Sequence, residues 1–197
     1  TYITFNESQR LFKLLNDDNY VEIFDNKLIF NERFKEYIGR QFLDIEHSDL
    51  ETFKKYIQNK DMLFVKPKDS CSGKGIYKTI KIDNDTNINE LYEYLKTNKL
   101  YAEDAIIQHD LMNKLNPTSI NTTRIVTVLK DDEVHIMYVI LRVGRKDMSV
   151  DNVASGGIYT LLEESKITHP FWSDKTIKTY DKHPDSGFEF IGFEILY

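Results

Sequence analysis

One cysteine, Cys71, stands in the whole chain, so no intramolecular disulfide can form, an absence that fits a reducing cytoplasm. Glycine and proline are sparse, 8 and 4 in 197 residues, and no repeat or low-complexity segment occurs, which argues against a disordered chain. Long apolar runs are missing too. "IMYVIL" falls far below the roughly 18 residues that a bilayer span requires, and nothing near the N-terminus reads as a signal peptide. No transmembrane segment is expected, and the expected location is cytoplasmic. Excess positive charge is also lacking: the formal charge of -6 and pI of about 5.4 leave no electrostatic footprint for a nucleic-acid partner. What the chain does have is core-forming material, 41% hydrophobic residues with 12 Tyr and 12 Phe. Its length suits one domain or two small lobes sharing a cleft. A start at Thr1 and an end on "FEILY" read as a piece of a longer protein.

Residues 1–45 read as helices with one extended break. Asn6 and Gln9 form a capping pair for a helix carrying Leu11, Leu14 and Leu15 on one face. "KLIF" reads as a short strand or turn, and "NERFKEYIGR" as a helix opened by Asn31 and closed by Gly39. Residues 46–110 read as a small α+β lobe. Ser48 and Glu51 make a capping box for a helix lined by Leu50, Phe53 and Ile57, followed by the strand "MLFV", a glycine-containing loop, and the strand "GIYKTIKI". A helix from Ile88 to Lys99 comes next, and "AIIQHDL" closes the lobe as a third strand. A lobe boundary near residues 108–116 separates this unit from a β-rich second lobe, 111–197. There "TRIVTVLKDDEVHIMYVILRVG" is a hairpin around an acidic turn, "GGIYTLL" a further strand, and the tail loop-rich.

The stretch "LFVKPKDSCSGKGIYK", Leu63 to Lys78, raises the first chemical question. A lysine at a strand end, Lys66, beside a loop with Ser70, Ser72, Gly73 and Gly75 can hold phosphate oxygens through its charge and through inward-turned backbone N–H groups. Read from these residues alone, an ordinary loop between strands with solvated lysines is an equal alternative. The Walker A pattern fails, because Lys68 and Gly75 stand where it needs a glycine and a Ser or Thr. No G-x-G-x-x-G, G-x-S-x-G or zinc-spaced histidine set is present, and Cys71 has no neighbouring His to activate it. Asp83 and Asp85 have the D-x-D spacing of a metal-dependent glycosyltransferase, though an acidic turn before a helix explains them as well.

In the hairpin, a turn at Asp131–Glu133 pairs residues whose numbers sum to about 263 or 264. That register brings Arg124 and Arg142 to the same open end of neighbouring strands. Two guanidinium groups there suit either surface carboxylates or a polyanion such as a triphosphate or an acyl phosphate. In "VDNVASGGI", an acid, an amide and two glycines precede a strand, a loop able to approach a ligand or metal closely.

Taken in order, "DNKLIFNERF", "FVKPKDSCSGKGI", "IIQHDL", "LNPTSINTTRIVTVL", "LRVG", "VDNVASGGI" and "HPDSGFEFIGFEI" resemble the ATP-grasp superfamily, specifically its sugar-transfer-associated members in bacterial surface-polysaccharide biosynthesis. The resemblance implies an α+β ATP-grasp fold: two α+β lobes with the nucleotide site between them, here C-terminally incomplete. It also implies ATP with Mg2+ as cofactors, activation of a carboxylate as an acyl phosphate, and transfer to an amine or similar nucleophile of a polysaccharide precursor. By position, Lys27 and Lys66 contact the phosphates under the loop from Ser70 to Gly75. Gln108, His109 and Asp110 lie near the base or ribose, Arg124 and Arg142 are the catalytic pair that neutralises the transferring phosphoryl group, and Asp151, Asn152, Gly156 and Gly157 form a loop near phosphates or acceptor. The acidic residue and Glu-x-Asn pair that usually bind magnesium have no counterpart, so the metal ligands are unknown and the piece is expected to turn over poorly or not at all. A non-catalytic nucleotide-binding module and a glycosyltransferase remain the alternatives, and an exposed edge strand leaves room for pairing between copies.

Overall fold

The computed structural model describes residues 4–67 and 78–195, and the loop from Ser70 to Gly75, with Cys71, lies outside them. The chain divides into two compact units, Thr1–Ala105 and Ile106–Tyr197. No helix among the described residues is long and apolar enough to cross a membrane.

The first unit opens with α1 (Phe5–Leu15), α2 (Val21–Asp25), α3 (Lys27–Arg33) and α4 (Lys35–Ile38). The cap of α1 sits upstream of the expected Asn6 and Gln9. Thr4 Oγ1 accepts from the Glu7 N–H, and Glu7 Oε2 accepts from the Thr4 N–H at 2.8 Å, a reciprocal box that Asn6 and Gln9 do not form. "KLIF" is helix, not strand or turn. Asn26 Oδ1 accepts from the N–H groups of Leu28 and Ile29 at 3.0 and 3.3 Å, which satisfies two otherwise orphaned donors and starts the helix at Lys27. Asn31, expected to open a helix, therefore lies buried inside α3. Gly39 ends α4 as expected, in the left-handed region at φ 64°.

Next come β1 (Phe42–Leu43), α5 (Leu50–Ile57), β2 (Met62–Pro67), β3 (Lys78–Lys81), α6 (Ile88–Thr97) and β4 (Leu100–Asp104). The cap of α5 is Asp49, which accepts from the Thr52 N–H at 2.7 Å, rather than Ser48, whose hydroxyl donates to the Asp44 carbonyl. Phe53 and Ile57 of α5, with Tyr92 and Leu95 of α6, bury against Leu63, Val65, Leu100 and Ala102 of the sheet. That sheet is antiparallel in the order β1, β4, β2, β3, so β2 and β4 are its central strands. The third strand is "LYAED" and not "AIIQHDL". Leu100 to Glu103 are all buried, as a central strand requires, whereas Ile106 and Ile107 are exposed beyond its end.

The second unit begins with the single-turn α7 (Asp110–Asn113) and continues into the hairpin of β5 (Thr122–Lys130) and β6 (Glu133–Val143). Asp131 and Asp132 both have positive φ, the two-residue turn that matches strand twist. Both expected pairing sums occur, the smaller from the turn to a bulge at Val126/Thr127 and the larger beyond it. β7 (Ile158–Glu163) pairs with β6, the short β8 (Lys166–Ile167) pairs with β7, and β9 (Phe171–Ser173) and β10 (Lys178–Tyr180) form a second hairpin at the far edge. The tail is thus more ordered than a loop-rich reading expects. Phe171 and Phe190 are fully buried with ring centroids 4.0 Å apart and draw the tail onto the core of Leu115, Leu141, Val143 and Ile158.

An ion pair pins the tail further. Asp185 accepts from Arg145 Nε and Nη2 at 2.6 and 2.8 Å and from the Lys146 N–H, and the Arg145 guanidinium holds its carboxyl well below the usual carboxylate range. A depressed folded-state value means that this contribution is complete above the unfolded value and is lost as pH falls. The stability gap between the wild type and Asp185→Asn is therefore expected to be full above about pH 5 and to close progressively below about pH 4. Urea unfolding over a pH series reads this directly, and a gap independent of pH would contradict it.

Candidate functional site

In the first unit, β2 and β4 place a charged cluster at the middle of the sheet. Lys66 and Tyr101 are opposite one another in the β2/β4 register, and Phe64 is opposite Glu103. Glu103 is a carboxylate on a strand buried from Leu100 to Glu103, with only 4% of its side chain exposed. Such a group needs a counter-charge. It receives one from Lys66, whose Nζ donates to Glu103 Oε1 at 2.6 Å and lies 5.4 Å from the Tyr101 ring centroid. Lys66 is thus a held, largely buried charge and not the mobile, solvent-facing one that a strand-end lysine predicts.

Arg40, in the segment between Gly39 and β1, supplies a second cation, its Nε 3.3 Å from Glu103 Oε2. The approach lacks hydrogen-bond geometry, and both atoms are buried without a hydrogen bond, so this is a charge contact only. Burial pushes the Lys66 ammonium down from the ordinary lysine value. Glu103 opposes that shift, and the like charges of Arg40 and Lys27 add to it, which brings the first residue of α3 within electrostatic reach of the cluster. The neighbouring Asp104 is neutralised separately by Lys60 at 2.7 Å.

The second unit joins residues that the sequence singled out separately. Arg142 Nη2 donates to Asp151 Oδ1 at 3.0 Å and to Thr122 Oγ1 at 2.9 Å, its Nε donates to Thr122 Oγ1 at 3.1 Å, and its Nη1 reaches Asn152 Oδ1 at 3.5 Å. Asp151 Oδ2 also accepts from the Thr122 N–H at 3.0 Å and from the Thr122 hydroxyl. Arg142 and Thr122 are cross-strand partners, and Arg124, two residues on, occupies the same face and is exposed. Burial lowers the Arg142 guanidinium from the ordinary arginine value; Asp151 opposes this and Arg124 adds to it. Gly156, at φ 113°, ends a short 3-10 turn of residues 153–155, and Gly157 packs on the Asp151 carbonyl, so the loop serves as the mount of Arg142.

Gln108 and His109 lead into α7, which begins at Asp110, and both are occupied locally. Gln108 Nε2 donates to Asn113 Oδ1 and the Asn116 carbonyl, Gln108 Oε1 accepts from the Asn121 N–H at 2.6 Å, and His109 Nδ1 caps α7 by accepting from the Leu111 N–H. Asn121 in turn donates to the carbonyls of Met112 and Asn116 and accepts from the Gly144 N–H, while His183 Nε2 donates to the Gly144 carbonyl at 3.0 Å. Asn116, Ser119, Asn121 and His183 are buried, and this polar knot ties "NPTSIN", "LRVG" and "HPDSG" together. Sequence reading quoted those motifs without giving these residues a role. Glu103 and Arg40 were missed altogether, because neither carries a local signal.

No fitting magnesium set emerges at either cluster. Among the described residues there, Glu103 and Asp151 are counter-ions of cations rather than open donors. Asp44, Glu46 and His47 place ligand atoms within 4.8 Å of one another, but Asp44 already accepts from the Glu46 N–H and contacts His47 Nδ1 inside a tight turn. Asp83 is likewise engaged by the Asp85 N–H and the Thr86 hydroxyl, the acidic turn before α6.

No curated protein matches the sequence. Among solved structures, the chain shows a loose likeness to N5-carboxyaminoimidazole synthetase from Staphylococcus aureus complexed with ADP, at 13% identity and a TM-score of 0.43. The likeness covers 81% of this chain, which spans 44% of that one. The family described as sugar-transfer associated ATP-grasp matches residues 6–197, nearly the whole length and every motif noted above. On that match the chain, with its two mixed helix-and-sheet units, belongs to the sugar-transfer associated ATP-grasp family.

Proposed function

We propose that the chain binds ATP and acts as an ATP-dependent ligase on a carboxylate in bacterial surface-polysaccharide synthesis, in the cytoplasm. The observation that carries this reading is Lys66, a largely buried ammonium on a central strand that shares the single carboxylate of Glu103 with Arg40. Gathering like charges in a partly buried place is unfavourable unless an anion joins them. A nucleotide polyphosphate has the needed charge. In the proposed reaction a carboxylate oxygen bonds to the γ-phosphorus, ADP leaves, and the acyl phosphate then loses phosphate when an amine or similar nucleophile attacks its carbonyl. Arg142, fixed by Asp151 and Thr122, and Arg124 beside it stabilise the charge on the transferring group. A bound magnesium ion would supply further neutralisation of that charge. A second reading, a nucleotide-binding module without turnover, is favoured by the cation-bound state of Glu103 and Asp151.

Calorimetric titration with ATP and with a sugar nucleotide, each with and without magnesium, tests the reading. Lys66→Ala is expected to weaken ATP binding at least about tenfold, on the order of 1.4 kcal/mol, with a melting curve to confirm folding. Unchanged affinity would remove Lys66 from the site. A preference for the sugar nucleotide would favour glycosyl transfer instead.

A further inference from the structure

Arg40 is the cation that no motif explains. It stands outside both lysine-bearing segments, one residue after the left-handed Gly39, yet its guanidinium is turned onto the carboxylate that holds Lys66. The two contacts differ in kind. Lys66 makes a direct hydrogen bond at 2.6 Å, whereas Arg40 sits off-axis at 3.3 Å, with its own Nε and Glu103 Oε2 both buried and unbonded. A guanidinium is built for paired, in-plane hydrogen bonds to oxyanions, and here its buried Nε makes none. The charge count points the same way, because Arg40 and Lys66 share one carboxylate while Asp104 is already matched by Lys60.

Resting on the ATP reading above, we infer that Arg40 is a third phosphate ligand beside Lys27 and Lys66, and that Glu103 is the internal counter-ion that orders Lys66 and Arg40 for a polyphosphate. Glu103 does not touch the phosphates. It limits mutual repulsion among the cations and fixes where Lys66 points, so it is a positioning residue, and Arg40 is a binding one.

The test is titration of the full chain with ATP and with inorganic tripolyphosphate, without added metal, for the wild type, Arg40→Gln, Arg40→Lys and Glu103→Gln. Arg40→Gln is expected to weaken both ligands at least tenfold with a shallower dependence on salt, Arg40→Lys to recover part of the loss, and Glu103→Gln, which removes the charge that orders the two cations, to weaken both by a smaller factor than Arg40→Gln with the salt dependence kept. Thermal melts of each variant separate loss of fold from loss of binding. If the wild type binds both ligands and Arg40→Gln binds them equally well, the role of Arg40 is overturned while the ATP reading stands. A Glu103→Gln variant that folds and binds both ligands as tightly as the wild type would overturn the positioning role of Glu103. If the wild type binds neither ligand here yet binds ATP once magnesium is added, this inference is overturned and the ATP reading stands; if it binds neither under either condition, both fail.

Discussion

Gly157→Ala is expected to lower the stability of the second unit by about 3 kcal/mol or more, among the larger effects of a single substitution. The cause is space, not backbone conformation. A Cβ at this position would lie 2.2 Å from the Asp151 carbonyl oxygen, 2.8 Å from its carbon and 3.1 Å from the Asn152 carbonyl oxygen, all of them main-chain atoms with no rotamer to retreat into. Relief would require the segment carrying Asp151 to move away from β7. The same N–H that donates from Gly157 to the Asn152 carbonyl at 3.0 Å would be drawn apart with it. Because Asp151 grips both Thr122 and Arg142, the damage would spread to the mount of the proposed phosphoryl-binding arginine. The single tryptophan, Trp172, is paired with Tyr159 only two residues beyond Gly157, and its fluorescence in a urea titration is a local reporter. Stability within about 0.5 kcal/mol of the wild type would show that the loop can yield, and would refute the mounting argument.

Glu103→Ala is expected to cost about 3–5 kcal/mol, because it leaves Lys66 and Arg40 inside the first unit without their counter-charge. The asymmetry matters here. Replacing both members of the close pair with apolar residues of similar size, as in Lys66→Met with Glu103→Leu, removes the buried charges together and is expected to recover much of the loss. Denaturant unfolding of the two single variants and the double variant gives the coupling energy. If the single loss of Glu103 costs under about 1 kcal/mol, water must reach the lysine easily, and the picture of a desolvated cation cluster is wrong.

Much of the architecture is legible from local pattern. The hairpin register follows from its acidic two-residue turn, α5 and α6 from their apolar spacing, and the end of α4 from Gly39. The misplacements are short-range competitions. Thr4, Asp49 and Asn26 each outbid a nearby candidate because their side-chain oxygens actually reach the free N–H groups of a first turn, and composition alone does not say which neighbour will. The third strand was displaced because "AIIQ" is apolar enough for a strand, while the shorter run before it holds the central place in the sheet. At the candidate site, sequence reading reached Lys66, Arg142, Asp151 and Asn152 singly. It could not see that Asp151 would fasten Arg142, nor that Glu103 would fasten Lys66, since each contact joins segments that meet only after the sheets form.

The bulge at Val126/Thr127 gives the hairpin a phase slip. On the face of β6 that carries Leu141, the residues opposite Thr123 and Ile125 are Leu141 and Val139, but those opposite Thr127 and Leu129 are Ile136 and Val134. Even positions of β6 up to Ile136 and odd positions from Val139 therefore lie on one apolar surface, while Arg142, Ile140, Tyr138 and His135 share the other. Strict alternation, applied along β6 as a ruler, would assign half of the strand to the wrong side. A substitution at Ile136 and one at Leu141, of opposite parity in the sequence, act on the same face of the ribbon.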